Sequence, residues 1–156
     1  MLKIITHPNP FLRQKSLSVI DVFDEEIKKL IPQMIETMVK QDGVGLAAPQ
    51  IGKSIQLIVI YFKESTLVII NPKIIKKSFS KVWGEEGCLS VPDKFGEVKR
   101  HKKITIIYTN ENGQKQQLAA KDMLARVIQH EIDHLNGILF IDKARKIQTI
   151  NPQIHE

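Results

Sequence analysis

The segment from His130 to His134, HEIDH, combines residue types that bind metal ions with one that transfers protons. In the surrounding stretch ARVIQHEIDHLNG the apolar residues recur at helical spacing, and Gly137 follows the last of them. The sequence therefore predicts an amphipathic helix that ends just before this glycine. Histidines four positions apart face the same side of a helix, and in the H-E-x-x-H pattern the paired imidazoles bind a metal while the glutamate handles protons. The alternative is that both histidines are hydrogen-bonded core residues.

A metal site needs more than two protein ligands, and the chain offers few candidates for the third. Metzincin-type enzymes supply a third histidine, but its position here is Phe140, and a downstream glutamate would have to be Glu156 in the polar tail. Cys88, in a predicted strand end stopped by Pro92, is the economical choice. A lone cysteine is also common as a small buried apolar residue. Two imidazoles and one thiolate would leave a fourth position open on a divalent ion, as in catalytic sites.

Three motifs occur in a fixed order along the chain: GVGLAAPQ at 43–50, EGCLS at 86–90 and HEIDH at 130–134. Together they resemble the G-x-G-x-A-A-x-Q, E-G-C-x-S and H-E-x-D-H motifs of peptide deformylases, the bacterial and organellar enzymes that remove the formyl group from new proteins. The resemblance extends from THPNPFLR near the start to GILFID near the end. By itself, GVGLAAPQ would indicate only a glycine-permitted turn or a close-packed strand.

The resemblance implies a metal-dependent hydrolase that removes the N-terminal formyl group from formylmethionine and releases formate. Glu131 would accept a proton from a metal-bound water of lowered pKa and pass it to the departing amine. The side-chain amide of Gln50 and the backbone N–H of Leu89 would stabilise the developing oxyanion. Iron(II) is the ion expected from the family, while Zn²⁺ suits the same donors and Ni²⁺ or Co²⁺ can occupy them in preparations. The implied metal ligands are Cys88, His130 and His134.

The resemblance further implies that the nascent peptide binds as an added strand between the first two motifs, through backbone hydrogen bonds that ignore side chains. The backbones involved would be those of Val44, Gly45, Glu86 and Gly87. The methionine side chain would enter a pocket lined by Val44, Val127 and His130. The two valines could equally be ordinary core residues.

Two features depart from some family members. Where those carry an arginine shortly after E-G-C-x-S, this chain has Lys94-Phe95. Some members also carry a long basic C-terminal helix implicated in ribosome docking, whereas this sequence stops soon after FIDKARKIQTINPQIHE. We therefore do not expect docking through such a helix, and we expect transient proximity to the ribosome at most.

The motifs must be positioned by helices and strands that the apolar pattern predicts. Residues 24–41 have an acidic start and helical apolar spacing, although Pro32 should kink this helix or mark its true beginning. Strands rich in Ile and Val are predicted at 55–61, 67–75 and 104–108, with a hairpin turn at Asn112-Gly113. The prediction is one α+β domain over residues 1–156, with mainly antiparallel sheets wrapped around a central metal-bearing C-terminal helix and the N-terminal helix packed outside.

Composition limits the class of protein. A chain of 156 residues with 42% hydrophobic residues suits one domain with an ordinary core. The single cysteine excludes an internal disulfide, no segment is apolar enough to span a bilayer, and MLKIITHPNP lacks a secretory signal. We expect a cytoplasmic protein that binds N-formylmethionyl nascent peptides and no membrane. The net charge of +6 comes with scattered lysines, which indicates a basic surface rather than specific nucleic-acid binding.

Two other functions stay open at this point. A metallopeptidase or other metal amidohydrolase is disfavoured by Phe140 and by the cysteine ligand. An inactive metal-dependent peptide-binding module is disfavoured because Glu131 and Gln50 are both present.

Overall fold

The computed structural model describes residues 1–150, which form two α-helices, eight β-strands and three short 3₁₀ turns. The tail of residues 151–156, which contains Glu156, lies outside the described residues. The helices are α1 (Glu25–Lys40) and α2 (Asp122–Leu135). The strands are β1 (Gly45–Ala47), β2 (Leu57–Phe62), β3 (Ser65–Lys77), β4 (Lys81–Cys88), β5 (Val91–His101), β6 (Lys103–Thr109), β7 (Lys115–Lys121) and β8 (Arg145–Thr149).

Helix α1 confirms the first predicted helix. The side chain of Asp24 accepts a hydrogen bond from the backbone N–H of Glu26, which caps the N-terminus as expected for an aspartate at this position. The helix continues through Pro32, so this proline does not mark its beginning as one alternative had it. The residue is exposed to solvent, and its missing N–H costs one helical hydrogen bond.

The strands form two antiparallel sheets. One has five strands in the order β1-β2-β3-β6-β7, and the other has three in the order β4-β5-β8. The predicted strands at 67–75 and 104–108 fall within β3 and β6, and the one at 55–61 overlaps β2 but begins two residues before it. Asn112-Gly113 lies in the β6–β7 hairpin turn, where Gly113 has a φ of +75°. Pro92 does not stop a strand: β4 already ends at Cys88, and Pro92 is the second residue of β5, after a two-residue turn.

The five-stranded sheet lies between the two helices. Successive residues of β2 point to opposite faces of the sheet, and each face packs against one helix. Leu57 and Val59 pack in one core cluster with Met34 and Met38 of α1. Ile58 and Ile60 pack in a second cluster with α2, whose buried residues there are Ala125, Val127, Ile128 and Leu135. Helix α2 also contacts β5 of the other sheet. The predicted fold, sheets around a central C-terminal helix with the first helix outside, is confirmed.

Helix α2 ends where the sequence predicts. Asn136 is its C-cap, and Gly137 follows with a φ of +74°. A Cβ at Gly137 would lie 2.3 Å from the carbonyl oxygen of Arg13, so only glycine allows the first turn of the chain to pass this close. Across residues 1–150, no helix has both the length and the apolar character needed to cross a membrane.

Candidate active site

A cavity of about 500 Å³ opens between the two sheets, and it is lined by strands β1 and β4 and helix α2. Both β1 and β4 are edge strands of their sheets. Each therefore has one side whose backbone groups are unpaired with a neighbouring strand. The sequence motifs contribute to this one cavity: the first through β1 and the turn after it, the second through the end of β4, and the third through α2.

The three predicted metal ligands lie together beside this cavity. The ligand atoms of Cys88, His130 and His134 all lie within 4.8 Å of one another. The sulfur of Cys88 is 3.3 Å from Nε2 of His134, and the two imidazole rings meet edge to face with centroids 5.0 Å apart. Both histidines are buried on the side of α2 that faces the end of strand β4, where Cys88 lies. One thiol and two imidazoles are a donor set that divalent zinc or iron accepts.

The surroundings of these residues fit a cation. Nδ1 of His130 is 2.8 Å from Oε1 of Glu86, which leaves Nε2 as the nitrogen for a metal. Burial lowers the pKa of His130, but its hydrogen bonds with Cys88 and Glu86 outweigh this and raise the pKa to about 10. A carboxylate on the other ring nitrogen orients a metal-binding histidine and strengthens it as a ligand. Burial and the neighbouring His130 lower the pKa of His134, so this imidazole is neutral and able to donate its lone pair.

Glu86 is the centre of a buried charged network that the sequence did not predict. Its carboxylate accepts hydrogen bonds from Nε and Nη2 of Arg100, from Nη1 of Arg126 and from His130. Burial alone would raise the pKa of Glu86, but the hydrogen bonds from His130 and Arg100 lower it to about 2. Arg100 also binds Asp133, which in turn is held by Lys143. The sequence prediction gave Glu86 only a backbone role; its side chain holds the imidazole of His130.

One signal in the sequence could have revealed part of this network. Arg100 lies two residues after Val98 in β5, and residues two apart in a strand share a face. Both are buried. An arginine in phase with a core valine indicates a buried ion pair, because a guanidinium enters a core only with a partner.

Glu131 points into the same cavity from α2 and is 4% exposed. Burial is the main reason that its pKa is raised to about 7. Its Oε2 is buried and has no hydrogen-bond partner among residues 1–150. A Cβ on Gly45 would lie 2.6 Å from Oε1, so the glycine of the first motif lets the carboxyl group lie against the backbone of β1. This carboxyl group can therefore accept and release a proton near neutral pH.

Gln50 is fixed in the turn that follows β1 and is 1% exposed. Its Oε1 accepts a hydrogen bond from the backbone N–H of Ala47, so the amide nitrogen points the opposite way. That nitrogen donates to Oγ of Ser90 and lies 3.6 Å from the sulfur of Cys88. Leu89, whose backbone N–H is the second predicted oxyanion donor, lies in the turn between β4 and β5 and lines the cavity.

The residues predicted to bind the peptide also line this cavity, from both of its edges. They are Val44, Gly45, Glu86, Gly87 and, from α2, Val127. The carbonyl of Val44 already accepts a hydrogen bond from the N–H of Tyr61. Since hydrogen bonding alternates along an antiparallel pair, the peptide groups of Gly45 point away from β2 and toward the cavity. The side chain of Val44 is exposed there.

Two aromatic residues complete the surroundings of the site. Phe95, of the Lys94-Phe95 pair, lies against Gly87, where a Cβ would be 2.7 Å from its ring, and it lines the cavity. Phe140, which occupies the position of the third histidine of metzincins, is buried with its ring stacked 6.2 Å from that of His130. At this position the structure thus places an apolar ring beside His130.

Comparison with known proteins shows similarity to peptide deformylases over residues 1–150. A family model for polypeptide deformylase matches residues 1–150. A peptide deformylase from Desulfotalea psychrophila is 48% identical over 148 residues, which cover 91% of this chain and 86% of that protein. The crystal structure of peptide deformylase from Thermotoga maritima matches with a TM-score of 0.90 at 42% identity, covering 93% of this chain and 98% of that one.

A second solved structure, a peptide deformylase from Synechococcus elongatus in complex with actinonin, matches with a TM-score of 0.89 at 43% identity, covering 93% of this chain and 79% of that one. The range of the family model spans both sheets, both helices and the three motifs that meet at the cavity. The chain belongs to the polypeptide deformylase family.

Proposed function

We propose that this protein hydrolyses the formyl amide of N-formylmethionyl peptides, with Glu131 as the proton-transfer group and with Cys88, His130 and His134 as the metal ligands. One observation supports this most directly: a buried carboxyl group with a free oxygen, a buried amide donor and a thiol–imidazole cluster converge on one cavity between two strand edges. Membership of the deformylase family supports the same substrate.

The residues around the cavity divide the reaction between them. The ion, when bound, would polarise the attacking water and lower its pKa. Glu131 takes the proton of that water and delivers it to the amine as the carbon–nitrogen bond of the formamide breaks, so that formate and a free N-terminus are released. Nε2 of Gln50 and the backbone N–H of Leu89 donate to the carbonyl oxygen as it gains negative charge.

The peptide binds in this proposal as a strand between β1 and β4. The outward peptide groups of Gly45 on one side and the backbone of Glu86 and Gly87 on the other supply its hydrogen bonds. Because these contacts do not involve side chains of the peptide, many sequences are accepted. The methionine side chain enters the part of the cavity lined by Val44, Val127 and His130.

Three further parts of the proposal concern the ion, the partners and the location. Iron(II) is the proposed native ion because the family implies it; a thiolate and two imidazoles suit iron(II) and Zn²⁺ alike, and affinity ranking does not decide which ion is bound in a cell. The proposed partners are nascent formylated chains, encountered during transient proximity to the ribosome. A cytoplasmic location follows from that substrate.

The choice of acyl group tests the reaction itself. We expect the metal-loaded protein to hydrolyse formyl-Met-Ala-Ser at least about a hundredfold faster than acetyl-Met-Ala-Ser in kcat/KM, because the added methyl must displace a donor, a ligand or the water in the transition state. Steric exclusion of this kind can exceed the roughly 1 to 3 kcal/mol that one methylene contributes in a yielding pocket, so a hundredfold is the lower bound of the expected ratio. The measurement is the initial rate of amine release from each peptide.

Comparable rates on the two peptides would contradict the deformylase assignment and favour a general amidohydrolase. An unblocked Met-Ala-Ser peptide is the matched control, since a metallopeptidase would cleave its internal bonds. Binding of the formyl peptide without any hydrolysis by the metal-loaded protein would favour the inactive binding module.

The contact between Gly45 and Glu131 gives a second prediction. Gly45→Ala places a methyl group 2.6 Å from Oε1 of Glu131, so the carboxyl group must move while the backbone of β1, which needs no positive φ here, can stay in place. We expect kcat on formyl-Met-Ala-Ser to fall about a hundredfold, the cost of displacing a reacting group by about 1 Å. Metal content and thermal unfolding temperature should change little. An unchanged kcat would show that Glu131 does not act from its position against β1.

A further inference from the structure

Arg126 lies one helical turn before His130 on α2, and neither the sequence motifs nor the proposed reaction gives it a role. Its side chain is 12% exposed, and its guanidinium connects α2 to two strands of the smaller sheet. Nη2 donates to the carbonyl of Val82 at 2.7 Å, and Nη1 donates to the carbonyl of Val98 at 2.8 Å. Nη1 also donates to Oε2 of Glu86 at 2.7 Å. An arginine with these partners is held in one position.

The contact with Glu86 completes the hydrogen bonding of that carboxylate. Oε1 is 2.8 Å from Nδ1 of His130 and 2.9 Å from Nη2 of Arg100. Oε2 is 3.0 Å from Nε of Arg100 and 2.7 Å from Nη1 of Arg126. A carboxylate has about four sites that accept hydrogen bonds, and all are used here. Because rotation about the last bond of a glutamate side chain is soft, the carboxylate plane depends on how many donors hold it.

Gly84 explains how the guanidinium fits between α2 and β4. Residues 82, 84 and 86 share one face of β4, as alternate residues of a strand do, and Arg126 lies across this face. A Cβ at Gly84 would lie 2.7 Å from Cζ of Arg126, 2.8 Å from Nη2 and 2.9 Å from Nε. The guanidinium could not avoid such a Cβ without breaking its hydrogen bonds to the carbonyls or to Glu86.

We propose that Arg126 is a positioning residue for the metal site and that Gly84, which has no side chain, leaves the space that its guanidinium requires. Arg126 fixes the carboxylate plane of Glu86, and Glu86 orients the imidazole of His130 through Nδ1. Groups that orient a metal-binding histidine in this way typically contribute about 10- to 100-fold to metal affinity. The inference rests on the proposed function only in taking His130 as a ligand.

A double-mutant cycle tests this pairing. The variants are Arg126→Met, Gly84→Ala and the double variant, and the measurement is the dissociation constant for Zn²⁺ by competition with a chelating dye. We expect Arg126→Met to weaken Zn²⁺ binding about tenfold, the lower end of the range because Arg100 still holds Glu86. Gly84→Ala should weaken binding to a similar extent. In the double variant Gly84→Ala should add nothing, because its Cβ then meets no guanidinium.

Three further measurements separate positioning from other roles of Arg126. Arg126→Lys keeps the charge but not the fork of donors, so its dissociation constant should lie between those of the wild type and Arg126→Met. Arg145→Met is the matched control, since Arg145 binds the carboxylate of Glu97 at the surface, and its Zn²⁺ affinity should equal the wild type's. If Arg126 serves only as a wall of the substrate cavity, KM will change while the Zn²⁺ affinity does not.

An unchanged Zn²⁺ affinity in folded Arg126→Met would overturn the proposal. If the two substitutions raised the dissociation constant for Zn²⁺ multiplicatively in the double variant, Gly84 would not act by leaving space for Arg126. Should Arg126→Met fail to fold by circular dichroism, Arg126→Lys and Gly84→Ala apply the same test to Zn²⁺ affinity. A wild-type protein that binds Zn²⁺ with the expected dependence on Arg126 but does not hydrolyse formyl-Met-Ala-Ser would contradict the proposed function and still support the positioning role.

Discussion

Glu131→Gln is expected to keep its fold and its metal ion while turnover of formyl-Met-Ala-Ser falls by several orders of magnitude. A single general base or acid typically contributes about 10²- to 10⁴-fold. The upper part of this range or beyond is expected here, because the same carboxyl group serves two proton transfers, from the attacking water and to the departing amine. An amide can do neither.

The structure indicates that this substitution removes proton transfer and little else. Glutamine has nearly the shape of glutamate, so the contact with Gly45 can be retained. Glu131 does not belong to the cluster of candidate metal ligands, so metal binding should persist. Burial raises the pKa of Glu131 to about 7, which shows that the protein does not stabilise the charged form. Replacing it with a neutral side chain should therefore cost little stability.

Three measurements on the same preparation check the effect: kcat on the formyl peptide, metal content, and the thermal unfolding temperature. Glu97→Gln, which alters a partly exposed carboxylate paired with Arg145, is the matched control and should have the wild-type rate. Near-normal turnover by Glu131→Gln would remove Glu131 from the mechanism.

The sequence predicted those parts of the fold that have a clear apolar period. Helix α1 has an apolar stripe and an acidic cap, and β2, β3 and β6 contain runs of Ile and Val. Of the strands without such runs, the sequence indicated only the end of β4 near Cys88 and, through the Asn112-Gly113 turn, the hairpin partner of β6. Strand β8, RKIQT, is exposed at every residue, and β4 and β7 are mostly exposed, so their pairing depends on the neighbouring strand and not on their own composition.

The sequence predicted those site residues that belong to short local motifs. HEIDH and EGCLS place ligand and proton-transfer groups at fixed spacing, and the structure brings the three candidate ligands together. The arginines around Glu86 were missed for a physical reason. Arg100 and Arg126 lie 14 and 40 positions from Glu86. The phase of Arg100 in β5 indicates a buried partner, but the local sequence of neither arginine identifies the carboxylate that it will meet. The contact of Arg100 exists only after β5 pairs with β4, and that of Arg126 only after the smaller sheet packs against α2.

Cys88→Ala is expected to lose its metal ion and its turnover. The sulfur is the only ligand atom of the cluster that does not come from α2, so its removal leaves two imidazoles on one helix to hold a divalent ion. Two histidines alone bind such an ion weakly, because the chelate that joins β4 to α2 is gone. The fold should persist, since Cys88 is only partly buried and lies at the edge of a core cluster that includes Val91 and Phe140.

Metal analysis of protein purified without oxygen checks this prediction and the identity of the ion together. The wild type should contain about one equivalent of metal per chain, mainly iron, as a site with one thiolate and two imidazoles and an open position allows. Cys88→Ala should contain little metal and show no measurable hydrolysis of formyl-Met-Ala-Ser. Cys88→Ser is the conservative control: it keeps nearly the size and shape of the side chain but replaces the thiolate with a hydroxyl, which is a poor ligand at neutral pH, so it should behave like Cys88→Ala. If either variant kept stoichiometric metal and the wild-type rate, the sulfur would not be a ligand, and His130 and His134 would need a different third partner.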